Sequence, residues 1–515
     1  MKNKYLYLFW FIALLPVMIG RDFTPDNELR YLSIVDEALR NGNIFTFSNQ
    51  GVIYAEKPPL YFWLMMIGKV LLGGHHMWFL SLLSFVPALV ILITMTRWIQ
   101  KENKANEQAA LLMLMTCGLF AGLTLIVRMD MLMSMFITLS LYTFYKIYNG
   151  ENRKRDEYLF PLYVFLALFS KGPIGLLVPL ISTILFLLYK RKLHTIKRYW
   201  GWKSLSIILA GCMVWFIGVY MEGGKAYLDN LVIHQTVGRG INAFHHKEPF
   251  YFYLIAIWYS LAPWSLLVVG LTIAGLLKKR INTDVEQFFA IIILSTFIML
   301  SIISSKLSVY LLPIIPFSVY LTVLLLNKFD IQYRWIKIAI AFPAALFISV
   351  LPVIFYLKRM EEMAFLGSVP IFIAGGILTI SGLIVLYLLY HKKKIYRAIY
   401  TLAIGILLSV FVAGWSMPEL NKYLGWGELC KKAKILAQEK RITDYYVYDI
   451  HRAENMDVYL GKDIKIIEKE DLMKSTPTKG IVLLPTKEIK KDEKLRSIIE
   501  RKEYYTMGNY AIVVF

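Results

Sequence analysis

The sequence predicts an α-helical polytopic membrane protein that carries a small soluble α/β domain at its C-terminal end. Hydrophobic residues make up 57% of the 515 residues, whereas charged residues make up only 18%. Apolar stretches of about 18 or more residues recur, and such a stretch can cross a bilayer as a helix. Aromatic residues reach 15%, which is typical of proteins with Tyr and Trp at the membrane interfaces.

Thirteen apolar segments predict membrane spans, and two of them are short. The segments are residues 5–20, 76–97, 108–127, 131–148, 157–169, 173–189, 204–221, 251–276, 287–303, 308–326, 335–357, 369–390 and 396–415. An alternative is that the short pair, 157–169 and 173–189, forms one re-entrant hairpin. That alternative leaves the C-terminal region on the same side of the membrane.

The basic residues indicate which side of the membrane each loop occupies. Lys and Arg cluster in short runs between apolar spans, such as residues 190–192, 278–280 and 392–394. Loops of this composition are retained in the cytoplasm. We therefore expect the N-terminus inside the cell, and an odd number of spans then places the C-terminal region outside. The net charge of +21 could suggest a nucleic-acid partner, but the placement of Lys and Arg in such runs between apolar spans argues against one.

Three regions face the outside in this topology, and residues 1–416 form the transmembrane domain around them. The first outer loop, 21–75, contains "TPDNELRYLSIVDEALRNG", in which an apolar stripe of helical period predicts a helix along the membrane surface. The second region is the loop 222–250. The third, 417–515, predicts an extracytoplasmic α/β domain, with strands in "DYYVYDIH", "IKIIEK", "GIVLLPT" and "NYAIVVF" and a helix in "DEKLRSIIERK".

The ionisable residues at span ends, apart from the basic inner runs, all fall on the outer side. They are Asp26, Glu28, Arg30, Glu56, Lys57, Arg128, Asp130, Lys171, Arg239, His245, His246 and Lys306. Ionisable groups next to the hydrocarbon are costly and therefore point to function. Taken singly, each has an ordinary structural explanation: Asp26 can cap a helix, and Glu56 and Lys57 can form a surface ion pair. Their gathering on one face favours a shared polar site.

This residue set suits the transfer of a group from a phosphate-linked lipid. Lys or Arg at the bilayer surface can bind the lipid phosphate. A carboxylate can take the proton of an attacking hydroxyl, and a carboxylate with a histidine can hold a divalent cation. Because sugar nucleotides are confined to the cytoplasm, a glycosyltransferase that works outside needs a lipid-linked donor.

Six stretches, in order along residues 20–320, carry a resemblance to a known family. They read "PDNELRYLSIVDEALRNG", "YAEKPPLYFW", "RMDMLMSMFITLSL", "SKGPIGLLVP", "HHKEPFYFYL…PW" and "SSKLSVYLLPIIP". In them the chain resembles the lipid-carrier-dependent GT-C glycosyltransferases, in the branch of the bacterial aminoarabinose transferases and the protein O-mannosyltransferases. "EKPPL" together with "NELRY" is the most specific part. The resemblance implies a GT-C fold with about thirteen transmembrane helices.

The resemblance also implies catalytic roles for single carboxylates. The family's first outer loop begins with Asp-Glu-x-Arg-Tyr, and that Asp is its proposed catalytic carboxylate. Here Asn27 occupies the position, so Asp26 or Glu28 has to replace it, and we favour Asp26. Asp130 matches a second acidic residue, and the resemblance implies that it helps to orient either Lys57, the lysine of the Glu-Lys-Pro-Pro motif, or the acceptor.

For the donor phosphate, the resemblance implies binding by Lys57 of the Glu-Lys-Pro-Pro motif and by Tyr310. We expect further phosphate contacts from three basic residues at outer span ends, which are Arg30, Arg128 and Lys306. Glu56 is implied as the ligand of a divalent cation, with Zn, Mn and Mg as the alternatives. A histidine is its implied partner: His246 fits best, and the alternatives are His245 and His234.

We therefore expect a bacterial inner-membrane glycosyltransferase that takes a sugar from an outer-leaflet polyprenyl phosphate. The sugar passes, with inversion at the anomeric carbon, to an acceptor outside the cytoplasm: a lipid A-like lipid, a glycan or a protein. The alternatives are a transporter or flippase of a lipid-linked sugar and a non-catalytic membrane scaffold. A transporter places its polar residues at the bilayer midplane, whereas here they gather at one face. The scaffold alternative stays open because Asn27 occupies the position of the family's catalytic Asp.

Overall fold

The computed structural model describes residues 3–100, 106–151, 153–232, 247–330, 333–473 and 479–515. Helices dominate the chain up to Leu424, and a five-stranded sheet with its own helices follows. The protein is therefore a helical polytopic membrane protein with a small C-terminal α/β domain, which is the predicted fold class.

Helix is present in each of the thirteen predicted spans. Single helices are Asn3–Gly20, Met77–Gln100, Asp130–Tyr148, Asp156–Lys171, Ile174–Tyr189, Trp202–Asp229, Asp284–Ile302, Val369–Tyr390 and Ile395–Ala413. Four spans are divided, into Glu107–Met115 and Gly118–Leu125, Phe252–Ser260 and Ser265–Leu277, Ser308–Ile314 and Ile315–Leu326, and Arg334–Ile348 and Val350–Leu357. Pro263 lies in the gap of the second of these pairs, where its missing N–H stops the helix from continuing.

Eight helices of the described chain are long and apolar enough to cross a membrane, and a bent pair adds a ninth span. The bent pair, Glu107–Met115 and Gly118–Leu125, turns by 60°. Ile174–Tyr189 and Ser265–Leu277 are apolar but shorter. Within the described chain, length and composition thus support nine of the thirteen predicted spans.

Two short helices form the hairpin that carries Lys171. Asp156–Lys171 and Ile174–Tyr189 are joined by Gly172 and Pro173. A Cβ on Gly175 would lie 2.3 Å from the backbone of Ala167, so the two helices pack with their backbones in direct contact. Gly172 has φ of 114°, a backbone conformation that favours glycine. The tight turn fixes the position of the lysine that precedes it.

The first outer loop begins with the predicted helix. A π-helical turn, Pro25–Leu29, leads into the helix Arg30–Asn41, which ends where Gly42 adopts φ of 73°. A two-stranded hairpin follows, with β1 at Ser48–Asn49 and β2 at Val52–Ile53. The helix Leu60–Leu72 completes the loop.

The second outer loop is shorter than predicted, because helical structure in Trp202–Asp229 extends past residue 222, with a break at Gly224, where φ is 67°. In this extension the Glu222 carboxylate accepts hydrogen bonds from the backbone N–H groups of Ile44, Phe45 and Thr46, at 2.9, 3.1 and 2.8 Å. The extension therefore anchors the first outer loop. Residues 233–246 of the predicted loop 222–250 lie outside the described residues.

The C-terminal domain contains one mixed sheet with the strand order β4-β3-β5-β7-β6. The strands are β3 Tyr445–Val447, β4 Lys465–Ile466, β5 Ile481–Pro485, β6 Glu503–Met507 and β7 Tyr510–Val514. Its helices are Met417–Leu424, Gly427–Glu439, Asp457–Leu460, Lys469–Met473, Thr486–Lys491 and Glu493–Ile499. Four strands and the helix Glu493–Ile499 lie in the predicted segments. Strand β6 was not predicted, because its residues are mostly exposed and show no apolar alternation.

The C-terminal domain shares a hydrophobic core with the first outer loop. Leu32 and Val35 of the loop helix pack in one cluster with Trp426, Leu429 and Met456. The predicted surface helix therefore presents an apolar face to this domain. Since burial of apolar area is the main stabilising contribution, this shared core holds the two regions together.

A buried carboxyl lies in this interface. Asp457 is 6% exposed, and its Oδ2 accepts hydrogen bonds from Ser33 Oγ at 3.2 Å and from Gln50 Nε2 at 3.1 Å. Burial raises the pKa of Asp457 to about 6, and the negative charge of Asp36 adds to the rise. The folded protein therefore favours the protonated form, so stability is full below pH 4 and falls as pH rises through 6.

We expect Asp457→Asn to remove this loss of stability, which amounts to about 3 kcal/mol for a rise of about two pKa units. Thermal unfolding of the full-length protein in detergent should show a wild-type Tm that falls between about pH 4 and 7 and then levels off, and a flatter profile for Asp457→Asn. The exposed Asp463 provides the control, since Asp463→Asn should keep the wild-type profile. Identical profiles for all three proteins would contradict the assignment.

Candidate active site

The Glu56-Lys57 pair lies between β2 and the helix Leu60–Leu72. Lys57 Nζ lies 3.8 Å from Glu56 Oε2 and 3.3 Å from the Glu56 backbone oxygen. Pro58 and Pro59 follow, and Pro59 precedes the first residue of the helix. The restricted φ of proline stiffens this turn and holds the acid and the base in place.

Both residues line a cavity of about 410 Å³ together with Lys171 and Tyr310. The remaining wall is mostly apolar, and it includes Leu177, Trp215, Phe216, Leu231, Leu300 and Ile303. The two lysines come from sequence positions more than 100 residues apart, yet the fold brings them to one cavity. A site with cationic groups beside an apolar wall suits an amphipathic anion with a hydrocarbon tail.

Asp130 holds Lys171 at this cavity. Asp130 is 1% exposed and forms ion pairs with Lys171 and with Arg128, whose Nε lies 3.0 Å from Asp130 Oδ2. Lys171 Nζ also lies 4.6 Å from the centre of the Tyr310 ring, a cation–π distance. A carboxylate with two cationic partners is a poor base, so this geometry suits an orienting role better than proton transfer. The resemblance implied that Asp130 orients Lys57 or the acceptor, whereas the lysine it pairs with here is Lys171.

The Glu28 carboxylate, like that of Asp130, is fully occupied by contacts within the protein. Its two carboxylate oxygens bind the Arg21 guanidinium in a bidentate pair at 2.6 Å, and they also accept from the backbone N–H groups of Thr24 and Val127. Arg21 in turn donates to the Leu125 carbonyl at 2.6 Å. Fully buried, Glu28 thus fastens the first outer loop to the segment before Arg128 and Asp130. This arrangement makes it a positioning residue and disfavours its alternative role as the base.

Asp26 lies elsewhere, at the edge of the C-terminal domain. Its side chain is exposed, and its backbone oxygen accepts a hydrogen bond from Arg452 Nη1 at 2.6 Å. It occupies the second position of the turn Pro25–Leu29, and Thr24, the residue before that turn, makes no side-chain capping bond. The N-cap positions of this turn and of the helix after it belong to Thr24 and Leu29, so Asp26 caps neither of them. The Asp26 carboxylate is the most accessible of the three predicted catalytic carboxylates.

Arg128, one of the predicted phosphate-binding residues, pairs with Asp130 and does not line the Lys57 cavity. Two more of the predicted phosphate-binding residues also have other partners. Lys306 is 3% exposed, and its Nζ donates to the backbone oxygens of Glu248 and Ile303 at 3.1 and 2.6 Å. The Arg30 guanidinium lies 5.2 Å from the centre of the Tyr54 ring. Neither residue lines the cavity of Lys57. Both predictions were based on their place at span ends, which does not determine the direction of a side chain.

The predicted divalent-cation site is described only through Glu56. His234, His245 and His246 lie outside the described residues. Within the described ranges, no group of three or more His, Cys, Asp or Glu side chains converges as a metal site would require. The cation therefore stays a prediction, with Glu56 as its one described ligand.

Parts of the chain are similar in sequence to known proteins. Residues 56–217 match the family model of the dolichyl-phosphate-mannose-protein mannosyltransferases. An uncharacterised protein of Aquifex aeolicus is 27% identical over 371 residues, which are 66% of this chain and 71% of that protein. An undecaprenyl phosphate-alpha-4-amino-4-deoxy-L-arabinose arabinosyl transferase of Pseudomonas fluorescens is 25% identical over 68% of this chain. The alignment spans 62% of that transferase, which is less than two thirds of its length.

The crystal structure of ArnT from Cupriavidus metallidurans, bound to undecaprenyl phosphate, superposes on the whole chain. The TM-score is 0.78 at 15% identity, with 100% of this chain and 98% of ArnT covered. The chain has the GT-C fold. Together the comparisons confirm the predicted resemblance to the aminoarabinose transferases and protein O-mannosyltransferases.

Within this GT-C structure, Lys171 is the residue whose role the sequence left undefined. The motif "SKGPIG" alone does not assign this lysine to the phosphate, because a lysine at this position can simply begin a span before Pro173. The signal that identifies it is tertiary: Lys171 reaches the Lys57 cavity only because Asp130 and Tyr310 meet it there.

Proposed function

We propose that this protein is a glycosyltransferase that takes a sugar from a polyprenyl phosphate and passes it to an acceptor outside the cytoplasm. The observation that carries the proposal is the cavity in which Lys57 and Lys171 adjoin a mostly apolar wall. The lysines suit the phosphate and the wall suits the polyprenyl chain. Undecaprenyl phosphate, to which ArnT is bound in its crystal structure, has this chemistry.

The proposed reaction is a direct displacement that inverts the anomeric carbon. The oxygen of an acceptor hydroxyl forms a bond to the anomeric carbon, and the bond from that carbon to the phosphate oxygen breaks. Polyprenyl phosphate leaves with the bonding electrons, and the hydroxyl proton goes to the carboxylate of Asp26. Because Asp26 does not line the Lys57 cavity, the acceptor hydroxyl has to lie between the donor sugar and this carboxylate. Because negative charge grows on the phosphate as the bond breaks, Lys57 and Lys171 stabilise the transition state more than the ground state.

Four other residues support this step. Asp130 orients Lys171, and Tyr310 contacts the same ammonium group. Arg128 balances the charge of Asp130. A divalent cation held by Glu56 would add further neutralisation of the phosphate, and the chain's own lysines supply the charge described above.

The enzyme works, in this proposal, at the outer face of a bacterial inner membrane, with the N-terminus in the cytoplasm. A reporter that is active only in the cytoplasm, fused after Phe515, should therefore be silent. The same reporter placed in an inner basic loop, after Lys192, should be active as the control. Strong cytoplasmic activity of the C-terminal fusion would contradict the topology, because the basic loops would then no longer explain the orientation.

The activity is tested by incubating the purified protein with a set of polyprenyl-phosphate sugars and a crude envelope fraction as the acceptor source. We expect release of polyprenyl phosphate with at least one sugar. A flippase would move the lipid across a vesicle membrane without cleaving it, and a scaffold would do neither. Lipid translocation with no carrier release across the whole set would overturn the enzyme proposal.

A further inference from the structure

A second cavity, separate from that of Lys57, lies between the first outer loop and the C-terminal domain. Its volume is about 1020 Å³, which reaches the upper limit of small-molecule sites, at about 300–1,000 Å³. Pro25 and Asp26 form one wall, and the C-terminal domain forms most of the rest. The two cavities have no lining residue in common. We call this second cavity the interdomain cleft.

The walls of the interdomain cleft are held by specific contacts. Asp22, just before the turn of Asp26, accepts from the Gly427 N–H at 2.7 Å, and its own N–H donates to Asn421 at 2.9 Å. At Gly508, between β6 and β7, a Cβ would lie 2.0 Å from the Lys422 carbonyl oxygen. The β6–β7 hairpin therefore packs directly on the helix Met417–Leu424. These contacts fix the positions of the walls of the cleft.

The chemistry of the lining is that of a saccharide site. Phe365, Tyr423 and Tyr510 present partly buried aromatic rings, and the first two pack with ring centres 5.4 Å apart. Polar side chains stand beside them, namely Asp449, His451, Thr486, Lys487 and Asn509. A sugar ring has an apolar C–H face that packs on an aromatic ring, and its hydroxyl groups need donors and acceptors around the edge.

We propose that the interdomain cleft binds the acceptor and that the acceptor is a hydroxyl-rich oligosaccharide. The role of residues 417–515 is then to select that saccharide. This inference deepens the proposed transfer and rests on it for the part played by Asp26. Asp26 is the one predicted catalytic residue that lines the cleft, so a saccharide bound there contacts the carboxylate that takes the hydroxyl proton.

The experiment measures saccharide binding and carrier binding separately on the full-length protein in detergent. The probe is the mixture of water-soluble oligosaccharides released by mild acid from the cell envelope of the source bacterium, followed by saturation-transfer NMR. Binding of undecaprenyl phosphate is measured in parallel by native mass spectrometry. The variants are Tyr423→Ala and His451→Ala. Tyr504, which is 39% exposed on β6 and does not line the cleft, provides the control Tyr504→Ala.

We expect Tyr423→Ala to weaken oligosaccharide binding at least tenfold and His451→Ala to weaken it several-fold, with undecaprenyl phosphate binding unchanged in both. His451 is exposed, so its variant keeps the test valid if Tyr423→Ala fails to fold. No binding by the wild type, or equal binding by wild type and a folded cleft variant, would overturn the inference while leaving carrier binding as separate support for the proposed function. Cleft-dependent binding without any sugar transfer would overturn the proposed function alone.

Discussion

Lys57→Ala should reduce sugar transfer by about 10²- to 10³-fold while the protein still folds and inserts into the membrane. The ammonium group lies in the cavity that we assign to the donor phosphate. Its charge matters most as the phosphate leaves, so its loss raises the free energy of the transition state by about 3–4 kcal/mol. The measurement is transfer rate at matched protein level in membranes.

Two further variants make this result specific. Lys57→Arg keeps the charge but changes its reach and shape, so partial activity is expected. Lys225→Ala removes an exposed lysine from the helix Trp202–Asp229, outside the Lys57 cavity, and should behave like wild type. Near-normal turnover of Lys57→Ala would mean that Lys57 is only an ion-pair partner of Glu56.

Asp26→Asn should also nearly eliminate transfer, by about 10²- to 10⁴-fold, because an amide cannot accept the proton of the attacking hydroxyl. Asn27→Ala should have a mild effect, although Asn27 occupies the position of the family's catalytic Asp. The Asp26→Asn substitution is close to isosteric, and Asp26 contacts Arg452 through its backbone oxygen, which the variant retains. Folding should therefore be preserved.

The transfer rate of Asp26→Asn is compared, at matched protein level, with that of the wild type and of the Asn27→Ala control. Activity of Asp26→Asn within a few-fold of wild type would remove Asp26 as the base. Glu28 would not simply inherit that role, because Arg21, Thr24 and Val127 already occupy its carboxylate. A base outside the three predicted catalytic carboxylates would then have to take the hydroxyl proton.

Transmembrane helices were predictable because their signal is local. A run of apolar residues determines both that a segment is helical and that it is buried in lipid, so helix is found in each of the thirteen segments. Strand β6 was missed for the converse reason. Its residues Glu503–Met507 are held by pairing with β7, and a strand at the edge of a sheet needs no apolar pattern of its own.

Within the candidate site, the sequence predicted Lys57, Glu56 and Tyr310 at a common cavity, and the structure brings them together. It did not predict how the ion pairs are distributed. Arg30, Lys306 and Lys171 all looked alike as basic residues at span ends, yet only Lys171 faces the cavity. Which carbonyl or carboxylate a lysine reaches depends on contacts between segments far apart in the chain, and no local pattern encodes them.

Binding of undecaprenyl phosphate against undecaprenol tests the central claim most directly, because the two lipids differ only in the phosphate. Native mass spectrometry of the purified protein in a mild detergent reports both complexes. We expect the wild type to prefer undecaprenyl phosphate strongly, and Lys57→Ala and Lys171→Met to lose most of that preference while Lys225→Ala keeps it. Equal binding of the two lipids by the wild type would contradict the assignment of the Lys57 cavity to a lipid phosphate.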